Sequence, residues 1–425
     1  MFRFVHAADL HLDSPFTGIR NTHRDVGEIL RQATFAAYDN LITLCINREV
    51  GALLIAGDVF DGADHSLVGQ IKFMKGLERL YAHGIRTFIC HGNHDPLDSW
   101  DAGLRTPDNV HRFGSEPACV PVYPDSATSP IVCGVSYPTR EVRETLLGGF
   151  PSRDSTRFTI GLLHANAGGD SVHASYAPCT IEDLTAVGYD YWALGHVHTR
   201  DIKYEGNPWV VYSGNTQGRH PNETGARGVY VVDVDDEHRI EMEFVPVDSV
   251  RWEQRNLDIH DINTPSDLEE RLHQIVDGLR VEVEGRSFVY RIRLHGRGQL
   301  HTSLAKPDNI DAMTTQLNDT WQEQRPFAWC SEIRDDTRSE IDRDQLRKGT
   351  DFIGDFLKLT EEMSQDQNLQ NILKQELAPL FENRSAKRHL DDILRTEADA
   401  KALMEAAEDA ALDLLVTEDH DAGQV

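Results

Sequence analysis

Leu53-Leu54-Ile55-Ala56-Gly57-Asp58-Val59-Phe60-Asp61-Gly62 starts as a short apolar run and ends in carboxylates set against glycine. In an α/β protein such a run is a buried parallel strand, and ligands gather just past its C-terminal end. Asp58 is therefore expected at the mouth of a site. Other runs have the same form. Phe4-Val5-His6-Ala7-Ala8 leads into Asp9-Leu10-His11, and Thr87-Phe88-Ile89-Cys90 into His91-Gly92-Asn93-His94-Asp95. Ile160-Gly161-Leu162-Leu163 ends on His164, and Tyr191-Trp192-Ala193-Leu194 runs into Gly195-His196-Val197-His198. Taken singly, an Asp-x-His, a His-x-His or a Gly-Asn-His-Asp is a weak signal that turns and structural histidines also produce. Together, each behind an apolar strand, they read as the ligand set of a two-metal site.

The chemistry of the set is consistent. Carboxylate, amide and imidazole donors suit Mn²⁺, Fe²⁺ or Zn²⁺, and cysteine takes no part. Asp9 and His11 are two apart and share a side of an extended chain, as do His196 and His198. Asp58 is assigned the bridging place, with Asp9, His11, Asp58 and His198 on one ion and Asp58, Asn93, His164 and His196 on the other. Two ions roughly 3.5–4 Å apart can polarise a phosphoryl group, supply hydroxide at neutral pH and stabilise a leaving oxygen. Asn93 fills the ligand place beside His94, which leaves His94 to protonate the leaving oxygen or bind phosphoryl oxygens. Asp95 is expected to orient that ring or carry its charge. Asp13 and Asp61 fit a supporting or turn role as well as a catalytic one. His65, His83 and His91 match no role. Arg105, Arg112, Arg140, Arg200, Arg219 and Arg227 fall in loops near the motifs and are the candidates for a phosphate-binding patch.

Asp9-x-His11, Gly57-Asp58, Gly92-Asn93-His94-Asp95, His164 and Gly195-His196-x-His198 resemble the motif series of the calcineurin-like metallophosphoesterase superfamily, over roughly the first half of the chain. Within it the sequence is similar to the DNA-repair nucleases of the SbcD type. It is closer still to the YhaO-like bacterial branch, through Asp9-Leu10-His11-Leu12-Asp13-Ser14-Pro15-Phe16 and Gly57-Asp58-Val59-Phe60-Asp61. The resemblance implies a β-sandwich with flanking helices, two Mn²⁺ ions and phosphodiester hydrolysis, as an exonuclease or endonuclease acting on DNA. It also implies a capping domain and a coiled-coil ATPase partner of the SbcC type. Asp61 stands where some archaeal relatives carry a histidine tied to exonuclease action. Asp61-Gly62 and Asn93-His94-Asp95 depart from the Asp-Arg-Gly and Asn-His-Glu of the superfamily's protein phosphatases. Two other readings are a small-molecule phosphoesterase, acting on cyclic nucleotides or nucleotide pyrophosphates, and a non-catalytic scaffold on the same fold.

The pattern sets the architecture: a mixed α/β chain whose four-layer β-sandwich, flanked by helices, occupies residues 1–249. Helices are expected from Glu28 to Asn47, from about Ser66 to His83 and from Cys179 to Val187. Residues 250–345 read as a small α+β cap, with a clean alternation from Ser287 to Leu294. Residues 346–416 read as a helical tail suited to partner docking, and 417–425 as a disordered end.

With 425 residues, two or three domains are expected, and the apolar share of 40% is ordinary for a globular protein. No apolar run is long enough to span a bilayer. The opening Met1-Phe2-Arg3-Phe4-Val5-His6 lacks the form of a signal peptide. The six cysteines are scattered and read as reduced thiols, which points to a cytoplasmic protein. Net charge is −28, which excludes a uniformly basic DNA-binding surface. Any nucleic acid must meet a local basic patch. A homodimer is left open.

Overall fold

The apolar runs become strands. β1 (Phe2–Ala7), β2 (Ala52–Ala56), β3 (Arg86–Cys90) and β4 (Val110–Arg112) are parallel neighbours in that order. A second sheet has β5 (Ala118–Pro121), β6 (Ile131–Gly134), β7 (Thr159–His164) and β8 (Tyr191–Gly195), followed by β10 (Trp209–Tyr212) and, at its edge, β9 (Asp201–Tyr204). Its β6, β7, β8 and β10 are parallel. The first sheet is completed on its other side by β11 (Gly228–Val234) and β12 (Ile240–Pro246), both antiparallel additions. This computed structural model describes residues 1–421 except 15, 17–23, 62–65, 99–103, 169–176, 307, 322, 342, 367, 382–393 and 395.

Alternation along the strands sorts the core into three seams. Phe4, Leu54 and Phe88 of the first sheet meet Val132, Ile160, Leu162, Tyr191, Ala193 and Val211 of the second. Their chain neighbours Val5, Leu53, Ile55 and Ile89 point the other way, onto α1 (Arg24–Asn47) and α2 (Leu67–Ala82). Cys133, Leu163, Trp192, Leu194 and Val210 do the same on the far side, with Leu184 of α3 (Ile181–Val187). The result is the expected helix–sheet–sheet–helix stack. The helices begin where their caps dictate. Ser66 Oγ accepts the Gly69 N–H at 2.9 Å, so α2 starts at Leu67. Thr180 and Asp183 form a capping box and Gly188 closes α3 at φ +80°, leaving Cys179 outside the helix expected to contain it.

One glycine sets how closely the two sheets meet. A Cβ on Gly195, at the end of β8, would stand 1.7 Å from the Ala56 carbonyl oxygen at the end of β2. Backbone cannot rotate out of the way as a side chain can. Gly195→Ala is expected to cost at least about 3 kcal/mol, the upper end of ordinary overpacking. A clear fall in the urea midpoint of the metal-free protein is the readout, and an unchanged midpoint would contradict this close approach.

The cysteine expectation is corrected at one pair. Cys119 and Cys133 face each other in the antiparallel β5–β6 pair, with Cα atoms 4.0 Å apart, and are joined in a disulfide. A strand register is invisible in cysteine spacing, even across the 14 residues that separate this pair. Cys45, Cys90, Cys179 and Cys330 are free and buried. No helix among the described residues is long and apolar enough to cross a membrane.

Beyond β12 the chain makes a third sheet of β13 (Val250–Asp258), β14 (Ser287–Arg297) and β15 (Ala328–Arg338). Its helices are α4 (Pro265–Glu282), α5 (His301–Leu304) and α6 (Asn309–Trp321), and α7 (Arg343–Arg347), α8 (Phe352–Ser364), α9 (Leu369–Leu377) and α10 (Glu397–Asp421) follow. By packing, one compact unit comprises Met1–Leu257, Ser266–Arg293 and Pro307–Asp335, and the other Asp258–Pro265, Leu294–Lys306 and Asp336–Val425. In the second, Ile353 and Leu357 of α8 close on Leu412 of α10, and Arg297 pairs with Asp413 at 2.6 Å. α10 continues to Asp421, into the stretch expected to be disordered from 417.

Candidate active site

Parallel strands put their C-terminal ends on one edge, and that edge carries the motifs. Two strand ends fix each other beyond the sheet itself. Asp9 N–H donates to Gly57 O (3.1 Å), His11 N–H to Asp58 O (3.0 Å) and Leu12 N–H to Val59 O (2.8 Å). Those bonds require unusual backbone. Asp9 (φ +51°), His11 (φ +42°), Asp58 (φ +50°) and His196 (φ +98°) all lie in the left-handed region. Each such residue costs of order 1–3 kcal/mol and clusters with others where function demands it. Gly57 and Gly92 make room: a Cβ would meet His164 Nδ1 at 2.3 Å and Asp58 Oδ1 at 2.2 Å, respectively.

All seven expected metal ligands converge. His11 Nε2 lies 3.2 Å from His198 Nε2, and with Asp9 they form a group whose donor atoms are mutually within 4.8 Å. His164 Nε2 lies 3.0 Å from Asn93 Oδ1, and His196 Nδ1 lies 3.2 Å from that same oxygen. Asp58 stands between the groups, with Oδ2 3.8 Å from His11 Nε2 and 3.4 Å from His164 Nε2. The Asp9 carboxylate also accepts the His196 N–H, at 3.1 and 3.2 Å. Asp9, His11, Asp58, Asn93 and His164 are buried.

Burial sets the electrostatics. It pushes the Asp9 carboxyl above its usual range, against the pull of His164 and His198. It holds the His11 imidazole well below its ordinary value. Burial also opposes charge on Asp58, but His164, His11 and His94 together keep that carboxyl low. His164 is the counterpart: burial disfavours its charge, and the Asp58 carboxylate nevertheless lifts it to about 9. Buried carboxylates are thus balanced here by a proton on an imidazole, where a divalent cation would supply the same compensation. A donor set of oxygens and imidazole nitrogens alone fits such an ion.

The backs of two rings are held. His164 Nδ1 faces the Ala56 carbonyl at 2.9 Å, and His198 Nδ1 faces Glu223 Oε1 at 2.6 Å. Partners of this kind fix which nitrogen of an imidazole is left for a metal. Nothing in the sequence around Glu223 signals the role.

His94 and Asp95 part company. His94 is the more open, its side chain 32% exposed, and its Nδ1 pairs with Asp61 Oδ1 at 2.7 Å. Asp61 raises the His94 pKa above the ordinary value, and the same hydrogen bond keeps Asp61 ionised. The expectation that Asp95 orients His94 is therefore corrected. Asp95 is fully buried, with Oδ1 accepting the Gly92 N–H and Oδ2 the Val59 N–H, each at 2.8 Å. It staples the β2 loop to the β3 loop. The bend that carries both residues turns the Asp95 carboxylate inward onto the two loops and leaves His94 to Asp61.

Asp61 Oδ2 also accepts Ser14 Oγ–H at 2.6 Å and Arg219 Nη1–H at 3.1 Å. Of the arginines singled out, Arg219 joins the site. Arg227 is buried and donates to the His198 carbonyl at 2.5 Å, and Arg200 lies over the Phe244 ring at 3.9 Å. Arg105 and Arg140 are exposed, and Arg112 lies on β4. His91 is a buried core histidine with Nδ1 2.9 Å from Asp95 O, His83 Nδ1 lies 2.8 Å from Arg79 O at the end of α2, and His65 lies outside the described residues.

A calcineurin-like phosphoesterase family profile matches residues 2–200, the span that carries all seven expected metal ligands. The YhaO protein of Bacillus subtilis strain 168, described as an uncharacterized metallophosphoesterase, is 33% identical over 344 residues, which is 81% of this chain and 84% of that protein. The chain is a calcineurin-like metallophosphoesterase. This metallophosphoesterase also matches the profile of the metallophosphoesterase YhaO middle domain over residues 252–338, within the expected cap. More distant similarity reaches one component of the nuclease SbcCD of B. subtilis, 25% identical over 54% of this chain and 66% of that protein. The DNA double-strand break repair protein Mre11 of Methanosarcina mazei is 27% identical over 54% of this chain. The chain spans 36% of that Mre11's length.

Proposed function

We propose that this metallophosphoesterase is a two-ion phosphodiesterase that cleaves DNA, with Mn²⁺ as its working metal. The observation that carries the two-ion reading is the place of Asp58, whose Oδ2 lies 3.8 Å from His11 Nε2 and 3.4 Å from His164 Nε2. One carboxylate serves both donor groups. Asp9, His11, Asp58 and His198 would hold one ion, and Asp58, Asn93, His164 and His196 the other. Bound there, divalent ions supply Lewis acidity toward phosphoryl oxygens and neutralise developing charge. The chain's own groups do the rest. Asp61 raises the pKa of His94 and so favours the proton that this partly exposed ring would give to the leaving oxygen. Arg219, anchored on Asp61 and Ser14, offers its guanidinium to a non-bridging phosphate oxygen.

DNA is favoured as substrate by the nuclease and repair names among the distant relatives and by the large accessory region beyond β12. The helical tail is proposed to dock a coiled-coil ATPase of the SbcC type, since Phe352, Leu359 and Leu414 remain exposed on its helices. The purified chain is expected to hydrolyse bis-p-nitrophenyl phosphate and to degrade single-stranded or duplex DNA, to lose both activities to a chelator and to regain them with Mn²⁺. Hydrolysis of cyclic nucleotides with DNA untouched would hand the function to a small-molecule phosphoesterase. Inertness on every substrate with metal bound would leave a scaffold.

A further inference from the structure

We infer that Glu223 is a positioning residue that couples a metal-holding imidazole to the phosphate-binding arginine, and that only a carboxylate can serve there. This rests on the two-ion phosphodiesterase reading. Glu223 divides its two oxygens between two structures. Oε1 takes His198 Nδ1 at 2.6 Å, and Oε2 takes the backbone N–H of Arg219 at 2.7 Å and of His220 at 3.3 Å. The Glu223 N–H in turn donates to His220 O at 2.8 Å, closing the turn that presents Arg219. Arg227 draws the same segments together a second time, with Nη1 on the His198 carbonyl and Nη2 on the Thr224 carbonyl at 3.0 Å.

The hydrogen-bond roles are forced. Backbone N–H groups only donate, so Oε2 must accept. His198 has to keep the lone pair of Nε2 for a metal, because Nε2 is the atom that faces His11 Nε2 at 3.2 Å. The ring proton must then sit on Nδ1, and Oε1 must accept as well. A group accepting at both ends is an ionised carboxylate. Glutamine has the same shape and cannot do this. With its carbonyl toward His198, its amide N–H groups oppose those of Arg219 and His220. With its carbonyl toward the turn, its amide donates to Nδ1 and moves the ring proton to Nε2, where it blocks the metal. Either way one partner is lost. Arg219 is the group moved with the turn, and its Nε is buried without a hydrogen-bond partner among the described residues. Its Nη1 donates to Ser14 Oγ and to Asp61 Oδ2, the partner of His94, which sets the guanidinium at the candidate site.

The test uses the full chain and Mn²⁺ alone, with free ion followed by electron paramagnetic resonance. Glu223→Gln is expected to weaken Mn²⁺ binding by about 10–100-fold, the usual loss when the partner of a ligating imidazole is removed. In a His198→Ala background the same change should weaken it no further, because the ring through which Glu223 acts is gone. On bis-p-nitrophenyl phosphate, Glu223→Gln should also raise KM, and Arg219→Ala should absorb that rise. Wild-type Mn²⁺ affinity in Glu223→Gln overturns the proposal, and so do full additive losses in the His198→Ala background, which would mark a purely structural role. If the unsubstituted chain binds no Mn²⁺, the two-ion reading itself falls, and that control is read first.

Discussion

Replacing Asp58 by alanine is expected to lower phosphodiester hydrolysis by about 10⁴-fold or more, the scale lost when the member on which a whole constellation depends is removed. The same variant should lose most of its bound metal. Two facts make this position sensitive. Its Oδ2 lies within 3.8 Å of donors from both groups, so its removal opens two coordination spheres at once. Its Oδ1 accepts the His94 N–H at 2.9 Å, so the loop carrying Asn93 and His94 loses its anchor as well. The buried His164 imidazole would then lose the carboxylate that offsets its charge. Loss of Asn93 or His196 touches one group alone and should leave the other ion in place. Metal analysis decides the matter: two ions per chain in Asp58→Ala would end the bridging assignment, and near-normal turnover would end the catalytic one.

The legible part of this protein is the part in which a ligand follows its own strand. A buried parallel strand is a run of apolar residues, and the site residue comes within a few positions of its end. Asp9, Asp58, Asn93, His164 and His196 are all of this kind, so one-dimensional pattern and three-dimensional placement coincide. The sandwich was legible for the same reason, and β14 for its alternation, although β14 runs on to Arg297. The illegible part is whatever depends on how two separate segments are brought together. Glu223 reaches His198 from a loop, and Cys119 meets Cys133 through a strand register. Asp61 was in view, three positions after Asp58, yet only the closeness of the β2 and β3 loops could award it His94. Asp95 shows the same lesson inverted: sequence adjacency suggested a partner that the direction of the side chain forbids.

The pairing of His94 with Asp61 turns the second large effect into a sharper experiment. His94→Asn is expected to cost about 10²–10⁴-fold in turnover on DNA, the usual contribution of one general acid or one charge-stabilising donor. Metal content should stay at the unsubstituted level, because Asn93 and not His94 faces His164 and His196. The His94 backbone N–H, which Asp58 Oδ1 accepts, survives the change. The loss should depend on the leaving group. An alkoxide leaving from DNA needs a proton, and Asp61 keeps one on His94 by raising its pKa. A p-nitrophenolate needs little help, so bis-p-nitrophenyl phosphate should suffer far less. Asp61→Asn should reproduce the same selectivity more weakly, since it removes the group that holds the proton and leaves the imidazole. Equal losses on both substrates would assign His94 to charge stabilisation instead of proton donation. Metal loss from His94→Asn, or DNA cleavage at the unsubstituted rate, would remove His94 from the chemistry altogether.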